Sequence, residues 1–393
     1  MIALGVFLHA VGGFAAGSFY IPFKKVRHWA WESYWIVGGV FSWIIMPLAV
    51  ALLVVPGLFS VLSEAPPGTI FWTYFFGVLW GIGGLTFGLS MRYLGMSLGY
   101  AIALGFCAAF GTIVPPIFRR EFVALLATAS GQITLAGILT CLVGIAICGW
   151  AGVSKEKELS EEMKKETIKE FNFAKGLLVA MFAGVMSACM AFAIEAGEPV
   201  AVLAGEGGTA SLWVNSPVYV FIFAGGFTTN FIWCVYLNLK NRTAADYTNA
   251  RKAPLASNYL FSALAGITWY FQFMFFGMGK TRMGAYDFSS WTIHMAFIIV
   301  FSNLWGLFFR EWKGTSRRTH NLIIAGLVVL VLSTIVVGIG SYLAAREAEE
   351  IPQETEVFTL IQENRWEGQP YETSGNHDTQ AARAHGARSS SAG

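Results

Sequence analysis

The chain has 393 residues, of which 55% are apolar and only 13% charged, and its formal net charge is +2. This composition is typical of a helical membrane protein and excludes a water-soluble enzyme of equal length. The small net charge provides no basic surface for nucleic acid, so no nucleic-acid partner is predicted.

Ten apolar stretches of about 20 residues follow one another along the chain. Each is long enough to cross about 30 Å of hydrocarbon as a slightly tilted helix. The apolar runs are continuous rather than alternating, which excludes the strands of a membrane barrel. The predicted spans are residues 2–22, 33–56, 69–90, 96–118, 132–152, 174–196, 215–238, 256–279, 286–309 and 321–343.

A charged connector divides the spans into two sets of five. The sequence predicts a first repeat at 1–152, a cytoplasmic connector at 153–173, a second repeat at 174–343 and a disordered polar tail at 344–393. Because five is odd, the second set must enter the membrane from the opposite side. We therefore predict an all-α integral membrane protein with ten transmembrane helices in two five-helix inverted repeats, an arrangement typical of secondary transporters.

The basic residues predict the orientation of the chain. Eighteen Lys and Arg residues lie in or beside alternate connections, beginning with Lys24, Lys25 and Arg27, whereas the other connections hold four. Since cytoplasmic loops carry the excess of basic residues, both termini are predicted to lie outside. No basic residue precedes the first span, which indicates a retained helix rather than a signal peptide.

The cysteines and histidines show no pattern of an enzyme or a metal site. All five cysteines lie inside spans without a CxxC spacing, so we interpret them as small apolar residues. No nucleophile with a nearby base, metal-binding cluster or phosphate-binding loop is recognisable. The sequence therefore predicts no enzyme activity and no metal.

The first span carries one ionisable residue, His9, near its middle. Gly12, Gly13, Ala16 and Tyr20 follow on the same helix face. Small residues usually allow a neighbouring helix to pack closely, which is the simplest explanation for the glycines. An ionisable group inside the membrane costs roughly 2.5 to 3.5 kcal/mol on insertion scales, so His9 is equally well explained by a functional role.

The ninth span begins with a cluster of polar residues. Asp287, Ser290, Trp291 and His294 have the spacing of one helix face. A carboxylate and an imidazole about 10 Å apart along a helix would form a two-step proton path. The alternative is that Asp287 only caps the helix, where the helix dipole favours a negative charge.

Two tryptophans lie in the middle of predicted spans. Trp80 and Trp269, the latter close to Gln272, combine an aromatic face with an amide. A neutral sugar needs both, because its C–H faces stack on indole rings and its hydroxyls need hydrogen-bond partners. Tryptophan also anchors helices at the membrane interface, which is the alternative explanation. Glu195 and Glu198 end the sixth span, where we expect solvation at the surface or a role in recruiting cations.

Several motifs resemble the bacterial L-rhamnose-proton symporter family. They are Phe19-Tyr20-Ile21-Pro22-Phe23-Lys24-Lys25-Val26, Trp80-Gly81-Ile82-Gly83, Met91-Arg92-Tyr93-Leu94-Gly95-Met96-Ser97, Trp269-Tyr270 with Gln272-Phe273, and Tyr286-Asp287 with Ser290-Trp291 and His294. The resemblance covers nearly all of residues 1–343. It implies a ten-span member of the drug/metabolite transporter superfamily, located in the bacterial inner membrane, that imports a deoxysugar with a proton. The positions that match the family pattern are His9, Trp80, Arg92, Gln272, Asp287 and His294.

The chain departs from the family pattern at three places. Gly84 stands where the resemblance implies an asparagine, Glu195 stands where it implies an amide, and the acidic tail is additional. A lost amide and a gained acid near the site would change the preferred substrate. For this reason a related deoxysugar is expected as well as L-rhamnose.

These observations predict a secondary active transporter that imports L-rhamnose or a related deoxysugar with protons by alternating access. The expected partners are the sugar, protons and the lipid bilayer, and no cofactor is expected beyond the coupling proton. The predicted sugar-binding residues are Trp80, Trp269, Gln272, Trp291 and Tyr20, and the predicted proton-coupling residues are Asp287, His294 and His9. The alternatives are a permease or exporter of another small metabolite and, less favoured, a membrane sensor or enzyme.

Overall fold

A computed structural model describes residues 1–94, 96–158, 173–308, 312 and 314–367. All regular structure in this part of the chain is helical. Within it, nine helical stretches are long and apolar enough to cross a membrane, and Ile102–Phe118 is apolar but shorter. The protein is therefore a multi-pass membrane protein. Most of the predicted connector and the end of the predicted tail, at 159–172 and 368–393, lie outside the described residues.

The described helices are numbered in chain order. In the first half they are α1 Ile2–Ser18, α2 Tyr20–Phe23, α3 Trp31–Val40, α4 Met46–Val54, α5 Leu58–Glu64, α6 Pro67–Leu94, α7 Met96–Phe118, α8 Phe122–Ala127 and α9 Ala129–Glu158. In the second half they are α10 Phe173–Ala196, α11 Glu198–Glu206, α12 Ser216–Asn241, α13 Leu255–Lys280, α14 Ser290–Phe308 and α15 Arg317–Glu367. Residues Met1–Arg346 form one compact unit, and a second unit begins at Glu347.

The second predicted span is interrupted by a π-helical segment, Phe41–Ile45, which joins α3 to α4. Pro47 follows within the first turn of α4. Because proline has no N–H, the carbonyl of Trp43 loses the partner that an α-helix would give it, and a wider turn accommodates the loss. The backbone N–H of Met46 accordingly reaches the carbonyl of Phe41, five residues back.

The ninth predicted span starts differently from the expectation. Gly284–Ser289 forms a 3-10 helix, and the α-helix α14 begins only at Ser290. Asp287 therefore lies in a tighter turn before the helix, while Trp291 and His294 lie within the helix. The predicted common face of all four polar residues does not extend to Asp287, because three residues per turn replace 3.6 there.

Helices from the two halves of the chain pack against each other. The first helix, α1, contacts α13 and α14, whereas α10 contacts α6 and α7. The helix α12 packs on α6, and α13 packs on α3. The core between them is rich in aromatic side chains.

The glycines of α1 are packing positions, as the sequence predicted. A Cβ on Gly13 would lie 2.5 Å from Cβ of Phe297 in α14, and one on Gly12 would lie 2.8 Å from the carbonyl oxygen of Gln272 in α13. Only glycine permits so close an approach of the three helices. This contact brings His9 up to α13 and α14.

At the other end of α1, polar contacts fix the loop that leads into α3. Asp246 Oδ2 accepts hydrogen bonds of 2.8 Å from the backbone N–H of Ala30 and from the Ser33 hydroxyl. The amide of Asn258 bonds the backbone of Arg27 in both directions, at 2.8 and 3.1 Å. We call these five residues the loop clamp. It ties the first half of the chain to the connection between α12 and α13 and to the first turn of α13.

A seam of four glycines joins α9 to α15. Two of the glycines lie in each helix, and each glycine packs most closely against a residue of the partner helix. The facing pairs are Gly137 with Val337, Gly144 with Leu330, Gly326 with Cys148, and Gly340 with Thr134. Because the partner number falls as the glycine's own number rises, the two helices run antiparallel in one register.

Candidate functional site

Three tryptophans from three helical segments meet in the aromatic core. The rings of Trp80 in α6 and Trp269 in α13 lie 5.6 Å apart. Trp43 of the π segment packs edge-on against both, at 5.7 Å from Trp269 and 6.3 Å from Trp80. We call these three residues the tryptophan cluster. The structure thus brings together the two mid-span tryptophans predicted from the sequence and adds a third.

Next to the tryptophan cluster lies a pair of buried imidazoles. His9 and His294 are fully buried, and their ring centroids are 6.1 Å apart. Phe276 packs against both rings, at 5.4 and 5.2 Å. Phe273 connects this pair to the tryptophans, since its ring lies 6.4 Å from His294 and 5.0 Å from Trp269.

The ring nitrogens of the two histidines have no hydrogen-bond partner within the described part of the chain. A buried polar atom without a partner costs about 1 to 3 kcal/mol, so such groups are seldom retained without use. Imidazole nitrogens accept and donate protons and bind hydroxyls. The pair can therefore take up a proton, a water molecule or a sugar hydroxyl.

The other predicted sugar-binding residues, Gln272, Trp291 and Tyr20, differ in how deeply they are buried. Gln272 lies in α13 and is only 6% exposed. Trp291 packs edge-on against Phe276, and its indole N–H donates a hydrogen bond of 3.0 Å to the carbonyl of Cys107. Tyr20 lies in α2, just beyond the end of α1, and is 43% exposed.

Asp287 belongs to a ring of four charged residues. Its carboxylate lies 2.5 Å from Lys280 Nζ and 3.6 Å from an Arg119 guanidinium nitrogen. Glu195 completes the ring, because it is 3.5 Å from Lys280 Nζ and also pairs with Arg119. Each charge thus faces two charges of opposite sign. We call these four residues the charge ring.

The charge ring joins the ends of four helices. Arg119 follows α7, Glu195 lies in the last turn of α10, Lys280 ends α13, and Asp287 precedes α14. The side chains are 13 to 27% exposed, so the ion pairs are partly shielded from water. A surface cleft of about 630 Å³ adjoins the ring at Glu195, and Glu198 also lines it.

Sequence reasoning missed Arg119 and Lys280, and it expected Glu195 to be solvated or to recruit cations. The available signal was the rarity of basic residues in the connections on that side, which hold four in all. Two of the four sit at helix ends, where two acids also lie. The side chain of Arg92, which matches the family pattern, lies outside the described residues.

Comparison with known proteins identifies the family. Residues 1–344 match the family described as "L-rhamnose-proton symport protein (RhaT)". The chain is 41% identical over 343 residues to an L-rhamnose-proton symporter of Cronobacter sakazakii, and 38% identical over 342 residues to proteins of that name from Yersinia pestis and Yersinia pseudotuberculosis. Each alignment covers 86% of this chain and 98% of the relative. The chain belongs to the L-rhamnose-proton symport protein family.

Proposed function

We propose that the protein imports L-rhamnose, or a closely related deoxysugar, together with protons. The observation that carries this proposal is the family match over residues 1–344, which includes every residue of the candidate site. The relatives that it matches over 98% of their length are L-rhamnose-proton symporters. The family consists of transporters rather than enzymes.

We propose further that the chain has ten spans in two inverted repeats of five, with α7 as the fourth. The supporting observation is the pattern of helix contacts. Suppose that α1 corresponds to α10, α6 to α13, and α7 to α14. The contacts of α1 with α13 and α14 then correspond to the contacts of α10 with α6 and α7, which the structure also has. Contacts that map onto each other when the halves are exchanged are expected for a two-fold related transporter.

In the proposed orientation, both termini lie outside the cell and the membrane is the bacterial inner membrane. The excess of basic residues beside the loop clamp, including Lys24 and Lys25, supports a cytoplasmic position for that end. The charge ring then lies at the outer surface. The histidine pair lies below it, and the tryptophan cluster lies near mid-depth.

The proposed sugar site is the tryptophan cluster with Gln272. A pyranose would stack on Trp80 or Trp269, and the Gln272 amide would bind its hydroxyls. Trp291 supports the site through its contact with Phe276. Tyr20, near the cytoplasmic end, would contact the sugar as it leaves.

The proposed proton path consists of Asp287, His294 and His9. A proton from outside first meets Asp287 in the charge ring. Protonation of this carboxylate removes one of the two negative charges from the ring and weakens both of its ion pairs. The ring would then open, and the sugar and the proton would reach the buried site together.

Alternating access follows from the two closed ends of the molecule. The charge ring holds the proposed outer end together, and the loop clamp holds the proposed inner end. Transport requires that each end open in turn while the other stays closed. The charge ring is therefore proposed as the outer gate, and the loop clamp as part of the inner gate.

The proposal is tested with purified protein in proteoliposomes and a panel of labelled sugars. We expect L-rhamnose or a related deoxysugar to accumulate when the outside is acidified, and accumulation to collapse when a protonophore is added. Accumulation of a different metabolite, or outward transport alone, would support the permease or exporter instead. Uptake that ignores the proton gradient would contradict symport.

A further inference from the structure

We propose that Trp43 is a third tryptophan of the sugar site and that its indole N–H donates a hydrogen bond to a sugar hydroxyl. The inference rests on the proposed function, because it assigns a role in the same site. The sequence did not single out Trp43. Its position depends on the π segment and on one neighbouring glycine.

The π segment sets the direction of the Trp43 side chain. One extra residue in the turn rotates the following residues relative to an ideal α-helix, and such turns are frequent at functional sites. Gly39 lies four residues before Trp43. A Cβ at Gly39 would lie 2.6 Å from the Trp43 ring, so the indole rests across a position where only glycine leaves room.

Trp43 meets the two proposed stacking residues with its ring perpendicular to theirs. The interplanar angle is 90° with Trp269 and 89° with Trp80. The two other rings are inclined to each other by only 36°. Trp43 therefore packs across the pair formed by Trp80 and Trp269, and the three rings are in contact with one another.

The indole N–H of Trp43 is a buried donor without a partner. The side chain is 5% exposed, and its Nε1 has no hydrogen-bond partner within the described residues. By contrast, the indole N–H of Trp305 donates to the Ser18 hydroxyl at 2.8 Å. A tryptophan used only for packing normally has its N–H satisfied, because an unpaired buried donor destabilises the protein.

A small cavity adjoins the tryptophan cluster. Its lining includes Ser42, Trp43, Ala265, Gly266 and Trp269. Its volume of about 10 Å³ admits about one water molecule, so a sugar can enter only when these side chains move apart. A sugar hydroxyl is an acceptor that can replace such a water at the indole N–H once the site opens.

The test is the Trp43→Phe variant, which retains an aromatic ring and removes the N–H donor. We expect the half-saturating concentration of L-rhamnose to rise about tenfold, as for the loss of one buried hydrogen bond. The maximal rate should change little. Trp305→Phe is the matched control, because it removes an indole N–H that the protein itself satisfies, and its half-saturating concentration should not change.

Deoxy analogues of the sugar identify the bond. For the hydroxyl that Trp43 binds, the wild-type protein should discriminate against the analogue lacking it, and Trp43→Phe should not. Equal discrimination by both proteins at every hydroxyl, or an unchanged half-saturating concentration, would overturn the proposal. Thermal unfolding of both variants separates a folding defect from a binding defect. Failure of the wild-type protein to transport any sugar would refute the proposed function instead.

Discussion

The two buried imidazoles are the residues whose chemistry is least explained by packing alone. His9 and His294 come from helices on opposite sides of the charged connector, yet their rings lie 6.1 Å apart. A Cβ at Gly279 would come within 2.7 Å of the His9 ring, so the absence of a side chain at Gly279 lets this ring pack against the backbone of α13. Neither ring has a hydrogen-bond partner among the described residues, which is the reason for their place in the proposed proton path.

His294→Gln separates proton coupling from packing. Glutamine retains a polar side chain but cannot take up a proton, so accumulation driven by an imposed pH gradient should be abolished. Exchange of labelled for unlabelled sugar, which needs no net proton transfer, should persist. Both activities are measured in proteoliposomes. His28→Asn is the control, because His28 is exposed and has a positive φ of 60°, which asparagine tolerates. Equal loss of accumulation and exchange would indicate a packing role.

Among individual residues, the sequence predicted those site residues whose type is unusual for their surroundings. A histidine within an apolar run, as at His9, is conspicuous because it is costly there. Trp43 was not predicted, because Trp is common in this chain and its orientation depends on a π turn that hydropathy does not reveal. Arg119 was missed for a related reason, since a basic residue at a helix end is normally explained by topology.

At the scale of the elements, the charge ring unites helix ends that hydropathy treats as separate. It joins α7 of the first half to three segments of the second half. Each ion pair alone contributes little at a partly exposed site. Because every member faces two opposite charges, loss of one side chain leaves a like-charged pair or an unbalanced charge, and the ring weakens as a unit.

Lys280→Gln should open the proposed outer gate. A cysteine at Ser290, one turn deeper and fully buried, serves as the reporter in a background without the five native cysteines. Labelling of Ser290→Cys by a membrane-impermeant maleimide should become about tenfold faster when Lys280 loses its charge and both ion pairs with it. Lys280→Arg, which keeps the positive charge beside Glu195 and Asp287, should keep labelling slow.

Glu198→Gln is the matched control for the charge ring. Glu198 lies at the same end of the molecule, is 61% exposed and comes no closer than 4.0 Å to Arg119. Its neutralisation should leave the reporter slow. If Ser290→Cys were labelled fast while the charge ring is intact, or equally slowly with and without Lys280→Gln, the charge ring would not be the outer gate.

The contact between the end of α9 and the start of α15 should make the stability of the protein depend on pH. Glu158, at the end of α9, accepts hydrogen bonds from the backbone N–H and hydroxyl of Ser316 and from the Thr319 hydroxyl, at the start of α15. These bonds lower the pKa of the Glu158 carboxyl from 4.5 to about 2. Since the folded pKa is depressed, the stabilisation is complete above pH 4.5 and is lost as the pH falls towards 2.

Glu158→Gln should therefore flatten the acid dependence of stability. In detergent, the unfolding temperature of the wild-type protein should fall further between pH 4.5 and pH 2 than that of the variant. The measurement is a series of thermal unfolding curves across this range. Glu206→Gln, an exposed glutamate elsewhere, should behave as the wild type. Parallel curves for wild type and Glu158→Gln would show that the contact does not contribute.

The elements themselves were largely predictable, and their ends were not. Continuous apolar runs identified the helices because a membrane span needs about 20 such residues. The ninth apolar span begins at Asp287, one residue from the predicted start, but α14 itself begins only at Ser290, because Gly284 has a positive φ of 65° and leads into a 3-10 turn. That local geometry moved Asp287 out of the α-helix and towards Lys280.

At the scale of the whole molecule, the main prediction from the sequence is five spans in each half. It follows from hydropathy alone, whereas the contacts between halves required the structure. No pattern in the chain indicated that α1 would lie against α13 and α14 rather than against its neighbours in sequence. The glycines at the contacts could be recognised in the sequence, but the sequence does not indicate which helix packs against each of them.

Labelling from the two sides of the membrane tests the orientation. Gly68→Cys and Glu206→Cys, both at exposed positions, should react with an impermeant maleimide in intact cells. Lys252→Cys should react only after the cells are permeabilised, because the basic connection between α12 and α13 is proposed to be cytoplasmic. The opposite result at any of the three positions would refute the proposed topology.

The glycine seam between α9 and α15 fixes how these two helices pack. Its glycines are separated by multiples of seven residues along each helix, Gly137 from Gly144 and Gly326 from Gly340. Such spacing maintains one line of contact between two nearly antiparallel helices. A shift by a single residue would force side chains into all four glycine contacts at once, so the helices resist sliding. The helix α9 is the last of the first half, and α15 is the last of the second half. We therefore expect the seam to act as a hinge line about which the other helices rotate.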